Sequence, residues 1–309
     1  MTAPDLGRSL AFRRWIFAGV VGATLAAGLA ASPPRATAQT DATTPVLVSV
    51  AGDIACGTSI AAYNNGDGTA TQCRQKYTGN LLAGSNAVWT LGDHVYPTAT
   101  TKQFSNAYDL TGWGQMKGVT YPTPGDHDYG TISGKGYFSY FSRPAYYSFE
   151  MGGWHVISLD SETDHTAGSP QEQWLQSDLA SAGANCIAAY WGEPRWTSGS
   201  KAPGDASFDP FWQDLYAAHA DLALSGDTHS YERFAKMRPD ESAAADGIRE
   251  FVVGTGGRSL VGFPHIQPNS EKRVKAFGVL QLTLQDGSYS WQFVDETSTV
   301  RDSGSATCN

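Results

Sequence analysis

Five short polar segments limit what this chain can become: Gly52-Asp53, Gly92-Asp93-His94-Val95-Tyr96, Gly125-Asp126-His127-Asp128, Gly192-Glu193-Pro194 and Gly226-Asp227-Thr228-His229. Four of them follow continuous apolar runs, Val46 to Ala51, Ala87 to Leu91, Ile187 to Trp191 and Leu222 to Ser225. The run before Gly125 is shorter and broken by proline. Short continuous apolar runs read as strands buried on both faces. In an open α/β sheet, ligands bind beyond the carboxyl ends of the strands. Carboxylates, a tyrosine and a histidine from distant parts of the chain are therefore expected to meet on one patch. Hard anionic donors of that kind suit a site for two hard cations.

The rest of the chain alternates strands with helices. Gln72 to Ala83 reads as a helix, and Phe104 to Tyr108 as a short one before the Gly112-Trp113-Gly114 turn. Tyr146–Glu150 and Trp154–Leu159 flank Gly152-Gly153, a hairpin signal. Ser169 followed by Pro170 marks a helix start running through Leu179, and Asp209-Pro210 opens another through Leu215. Arg249–Val253, then Val279–Leu284 and Ser288–Val294 around Asp286-Gly287, complete the strands. Alternating strands and helices together with hairpins predict two sheets flanked by helices.

Composition and leader residues set the compartment. The chain has 309 residues, 41% hydrophobic and 17% charged, which is ample for a large core. Arg13-Arg14, the apolar stretch from Trp15 to Ala31 and the small-residue site Ala36-Thr37-Ala38 read as an export signal over residues 1–38, with a twin-arginine route open. Residues 39–309 then form one domain. The apolar stretch is short and rich in Gly and Ala for a permanent span, so no stable membrane span is expected after cleavage. The formal charge of −9 becomes more negative on cleavage, because four arginines leave with only Asp5. With no cluster of Lys and Arg, nucleic acid is excluded as the main partner. Cys56, Cys73, Cys186 and Cys308 permit three pairings. The preferred one joins Cys56 to Cys73, closing a local loop, and Cys186 to Cys308, tying the chain end to a strand.

Two cations sharing one carboxylate sit about 3.5–4 Å apart, close enough to clamp a phosphoryl group. Asp93, in Gly92-Asp93-x-x-Tyr96, is the candidate bridge, with Asp53 and His229 completing one shell. Tyr96 adds a phenolate, a hard donor suited to Fe(III).

With these residues in place the chain resembles the calcineurin-like metallophosphoesterases, of the purple acid phosphatase type and its secreted bacterial branch. The resemblance spans nearly all of the region after the leader. It rests on Gly52-Asp53, Gly92-Asp93-x-x-Tyr96, Gly125-x-His127-Asp128, Pro194 after Tyr190-Trp191, Gly226-x-x-His229-x-Tyr231-Glu232-Arg233, and Gly247 through Gly257. It implies a four-layer α/β/β/α sandwich. It also implies hydrolysis of a small phosphate ester by a metal-bound hydroxide outside the cytoplasm. Asp53, Asp93, Tyr96 and His229 match the ligands of the first metal, iron in the purple enzymes. The second set departs from the family: Asp126 stands for Asn, and Gly192 and Asp227 each stand for His. Asp126, Asp227 and Glu193 are expected to rebuild it for Mn, Mg, Ca or Zn. The competing reading is a catalytically weak or inactive member that binds metal or a phosphorylated ligand. By the same resemblance His127 donates to the leaving oxygen and Asp128 orients it, as second-layer carboxylates do. Arg195 is a candidate phosphate contact. Glu232 and Arg233 are expected to pair and steady the His229 loop. His155, His165, His219 and His265 lack ligand spacing and read as structural or surface residues.

Overall fold

Strands form where the apolar runs predict them, and they gather into two large sheets, with a two-stranded one of Ala55–Cys56 and Val95–Tyr96 beside them. The computed structural model describes residues 44–309, so the export signal over residues 1–38 lies outside the described residues. One sheet has six strands in the spatial order Val300–Thr307, Ser288–Asp295, Gly278–Gln285, Val46–Ala51, Ala87–Leu91 and Thr120–Thr123. The other has seven: Ser270–Val274, Tyr231–Met237, Ile248–Val253, Leu222–Ser225, Cys186–Tyr190, Trp154–Ser158 and Tyr147–Met151. Both are mixed. Val46–Ala51 runs parallel to Ala87–Leu91 but antiparallel to Gly278–Gln285.

The two-residue side-chain period of a strand explains the layers. In Cys186–Tyr190, Ala188 and Tyr190 join the core between the sheets, while Ile187 and Ala189 face the other way. The outward set packs on Leu175 of the helix Pro170–Ser181 and on Phe211, Trp212 and Leu215 of the helix Asp209–Ala217. Trp89 and Tyr190 stack across the inter-sheet layer, 5.4 Å apart and 10° from parallel. Outside the six-stranded sheet, Thr90 bonds His94, whose ring sits among Phe104, Tyr108, Tyr137 and Phe141 of short helical segments. The order of layers is helix, sheet, sheet, helix, the α/β architecture expected. Burying each large apolar side chain of that core contributes about 1.5–3 kcal/mol.

Ser169 caps its helix by accepting from the Glu172 N–H, with Pro170 in the first turn. Both preferred disulfides form, Cys56–Cys73 and Cys186–Cys308, and the second ties one sheet to the other. Two expectations fail. The helix expected over Gln72 to Ala83 is shorter, Gln75–Gly79 with a tight turn Asn80–Leu82, because the disulfide-bonded Cys73 adopts a left-handed φ of 63°. Glu232 and Arg233 do not pair, since neighbours on a strand point to opposite faces. Glu232 accepts from Ser198 and Ser270, and Arg233 binds Glu271 and Asp302. Among the described residues no helix is long and apolar enough to cross a membrane.

Candidate metal centre

The polar segments converge at one edge where the two sheets meet. Asp53, Asp93 and the segment Asp126-His127 follow strands of the six-stranded sheet. Glu193, Asp227 and His229 follow strands of the seven-stranded sheet. The chain turns sharply at these points. Asp53, Asp93, Asp227 and His229 have φ of 57°, 55°, 64° and 47°. Left-handed backbone at a non-glycine residue costs about 1–2 kcal/mol, and such strain collects at functional sites. Glycines make room beside it: a Cβ on Gly254 would lie 2.7 Å from Asp53 Oδ2 and 2.6 Å from the His229 nitrogen.

Four expected residues meet closely. The Tyr96 hydroxyl lies 2.8 Å from Asp53 Oδ1, 2.6 Å from Asp93 Oδ2 and 3.1 Å from His229 Nε2. His229 Nε2 is 2.9 Å from Asp53 Oδ1. Donors around one octahedral cation at about 2.1 Å lie about 3.0 Å apart, so these spacings fit a single ion. The cluster also has more acceptors than protons, because a phenol donates only one hydrogen. Burial holds the Asp93 carboxyl well above its usual range, and the negative charges of Asp53, Asp128 and Asp126 push it further. Burial and the same Asp53 and Asp93 charges raise the Tyr96 phenol. Burial would lower His229, but Asp53 outweighs it and raises the imidazole. A cation held by Asp53, Asp93, Tyr96 and His229 would relieve this crowding of negative groups. Ser259 Oγ, 2.7 Å from Nδ1, fixes the ring so that Nε2 points inward.

The centre opens into a cleft of about 360 Å³ whose lining includes Asp126, His127, Lys201, Asp227 and Arg258. His127 donates its backbone N–H to Asp93 Oδ1 at 3.0 Å, and its Nδ1 lies 2.7 Å from the Pro97 carbonyl. A carbonyl only accepts, so Nδ1 carries hydrogen and Nε2 has no hydrogen-bond partner among the described residues. Asp128 is not the orienting group. It is fully buried, 2.8 Å from His94 Nδ1, and accepts from the backbone N–H groups of His94 and Gly125. Pro97 takes the role expected of it, because Asp128 points away from the cleft into the core beneath the loop.

Arg195 is likewise elsewhere. Its guanidinium binds Asp209, stacks on Trp196 and does not line the cleft. The positive groups that do face the cleft are Lys201 and Arg258, neither singled out from sequence. Arg258 lies 5.0 Å over the Tyr96 ring, and its buried Nε has no partner among the described residues. It directly follows Gly256-Gly257, so the extent of that motif was the available signal.

The second-cation donors do not fit their expected role. Gly192 offers no ligand and has no room for one: a Cβ there would lie 2.5 Å from Ser161 Oγ and 3.0 Å from the Pro124 carbonyl. The Lys201 ammonium lies 2.8 Å from the Asp227 carboxylate and 3.4 Å from Glu193 Oε1. Asp126 is exposed at the cleft mouth. With Asp93, the candidate bridge, and His127 it brings ligand atoms within 4.8 Å of one another, away from Glu193 and Asp227, which Lys201 engages.

Comparison with known proteins finds purple acid phosphatases both in sequence and in fold. No family model matches the chain. Purple acid phosphatase 22 of Arabidopsis thaliana is 29% identical over 175 residues, 52% of this chain and 40% of that protein. Probable inactive purple acid phosphatase 9 of the same plant is 30% identical over 103 residues, 31% of this chain and 16% of that protein. The structure of purple acid phosphatase PPD1 from yellow lupin superposes with a TM-score of 0.70 at 19% identity, covering 86% of this chain and 54% of that one. In sequence and in fold the chain is similar to the calcineurin-like metallophosphoesterases. It spans about two fifths of the length of the first of these relatives. Purple acid phosphatases are dinuclear and metal-dependent.

Proposed function

We propose that this chain is an exported phosphoesterase that hydrolyses small phosphate esters in the cleft beside Asp53, Asp93, Tyr96 and His229. The observation that carries the reading is the meeting of those four donors at 2.6 to 3.1 Å, open on one side to a cleft with His127, Lys201 and Arg258 on its walls. The phenolate of Tyr96 favours iron there. A cation so held lowers the pKa of water and polarises a phosphoryl oxygen. The protein's own groups do the rest. Arg258 and Lys201 offer charge to the phosphoryl oxygens. His127, with Nδ1–H committed to Pro97, presents Nε2 to the leaving oxygen and, as the imidazolium protonated on both nitrogens, gives it the Nε2 proton as the phosphorus–oxygen bond breaks. Export is supported by the leader residues and by two disulfides, which persist in oxidising compartments.

The test is hydrolysis of a chromogenic aryl phosphate with elemental analysis of the same sample. Turnover should disappear on chelation and return on adding metal, and Asp93→Asn should lose both metal and turnover. Turnover that survives both treatments would sink the proposal. A second reading, a family member that binds phosphate without turning it over, is favoured by the lost second-cation donors. It predicts saturable phosphate binding by metal-loaded protein with no hydrolysis.

A further inference from the structure

We propose that the ammonium group of Lys201 takes the place of the family's second cation, so that the chain carries one metal ion and a tethered positive charge beside it. This rests on the reading of Asp53, Asp93, Tyr96 and His229 as a cation site. The ammonium nitrogen lies 2.8 Å from Asp227, at the position that matches a lost histidine ligand, and 3.4 Å from Glu193. A divalent ion held by the Asp227 carboxylate would sit about 2.2 Å from its oxygen. The ammonium already fills that space, and two positive charges so close repel. The other lost histidine position is closed as well, since Gly192 packs on Ser161 and Pro124.

The lysine is delivered by a built loop. The backbone N–H groups of Arg195 and Trp196 donate to Glu250 Oε1, and both the N–H and hydroxyl of Ser198 donate to the Glu232 carboxylate. Glu232 and Glu250 are fully buried in the seven-stranded sheet. Thr197 and Ser198 are fully buried too, and Gly204 donates back to the Lys201 carbonyl at 2.9 Å. Lys201 itself is half exposed, so only its anchors are constrained and its head group remains available to a phosphoryl oxygen. The charges follow a simple logic. Asp227 and Glu193 stand together on this side of the cleft, and Lys201 is the cation that answers them.

The deciding experiment is metal content per chain of full-length exported protein, dialysed after incubation with excess Mn²⁺, for wild type, Lys201→Met and Lys201→Arg. One ion in wild type and in the arginine variant, and two in the methionine variant, is the expected result. Removing the ammonium leaves a group of carboxylates suited to a hard divalent ion. Two ions in wild type, or one in Lys201→Met, would overturn the lysine assignment while leaving the metal centre standing. No ion in any of the three would overturn the metal centre and this inference with it. As a second readout, Lys201→Met loaded with one ion should raise the KM for an aryl phosphate about tenfold, and Lys201→Arg should restore it. An unchanged KM counts against contact between Lys201 and the phosphoryl group.

Discussion

Replacing Asp128 by alanine separates a structural role from a catalytic one. The carboxylate accepts from three buried donors, His94 Nδ1 at 2.8 Å, the Gly125 N–H at 3.1 Å and the His94 N–H at 3.2 Å. Each buried donor left without a partner costs about 1–3 kcal/mol. The three share one cavity and relax together, so the total is nearer about 4 kcal/mol than the full sum, in line with about 3–5 kcal/mol for removing one member of a buried pair. At about 2–4 °C per kcal/mol this lowers Tm by about 10 °C. Thermal unfolding followed by circular dichroism measures the loss, and aryl phosphate hydrolysis well below the transition measures what survives. Turnover of the folded variant should stay within about tenfold of wild type. His127→Ala should behave in the opposite way, with stability changed by under about 1 kcal/mol and turnover reduced about 100-fold or more. An Asp128→Ala protein as stable as wild type, with turnover reduced like that of His127→Ala, would refute the assignment of Asp128 to His94.

Three further outcomes follow from the packing and charge of the fold. Gly192→Ala should cost about 1–3 kcal/mol in urea unfolding, because its Cβ meets Ser161 Oγ. Adding Ser161→Ala should recover most of that loss, and an unchanged midpoint for the single variant would remove the close contact from the account. Opening Cys186–Cys308 by a double serine substitution should destabilise by about 5 kcal/mol, against about 3 kcal/mol for Cys56–Cys73, from loop separations of 122 and 17 residues. Equal losses for the two pairs would exclude loop length as the cause. Asp214 is raised to about 6 by burial, and the Glu172 charge on the neighbouring helix adds to the shift. The unfolded group ionises near 3.8, so the contribution of Asp214 to stability is complete below that value and fades as pH rises through about 6. Asp214→Asn should therefore gain on wild type between pH 4 and pH 7 in chemical denaturation, and a constant difference across that range would disprove the shift.

Legibility in the sequence followed burial. Strands buried on both faces announced themselves as apolar runs, and Val46–Ala51, Ala87–Leu91 and Leu222–Ser225 have the bounds read from them. Tyr231–Met237, Ser270–Val274 and Val300–Thr307 were hidden by Glu, Arg, Lys and Ser, which such strands accept because part of each face is open to water. In the site, the residues at strand ends were legible because glycine-acid pairs mark sharp turns there. Their partners were not. Asp128 and His127 are neighbours in sequence, yet one points to the core and the other to the cleft, and only loop geometry decides which. Lys201 lies in a loop with no periodic pattern, and what directs it is a pair of buried glutamates, Glu232 and Glu250, more than thirty residues away in sequence.

The cleft straddles a seam. Its Asp93 and His127 wall hangs from the six-stranded sheet, and its Asp227, His229 and Lys201 wall from the seven-stranded one, so the gap is set by what fills the layer between the sheets. Trp89 stacked on Tyr190 is part of that filling, and the Cys186–Cys308 bridge clamps the two layers elsewhere. The inter-sheet core thus acts as a gauge block in a vice. A larger or smaller side chain there would change the span between the walls without touching either of them. On the proposed function, the ion radius and ester size that fit would then be adjustable from the interior of the protein, at positions that line no part of the cleft.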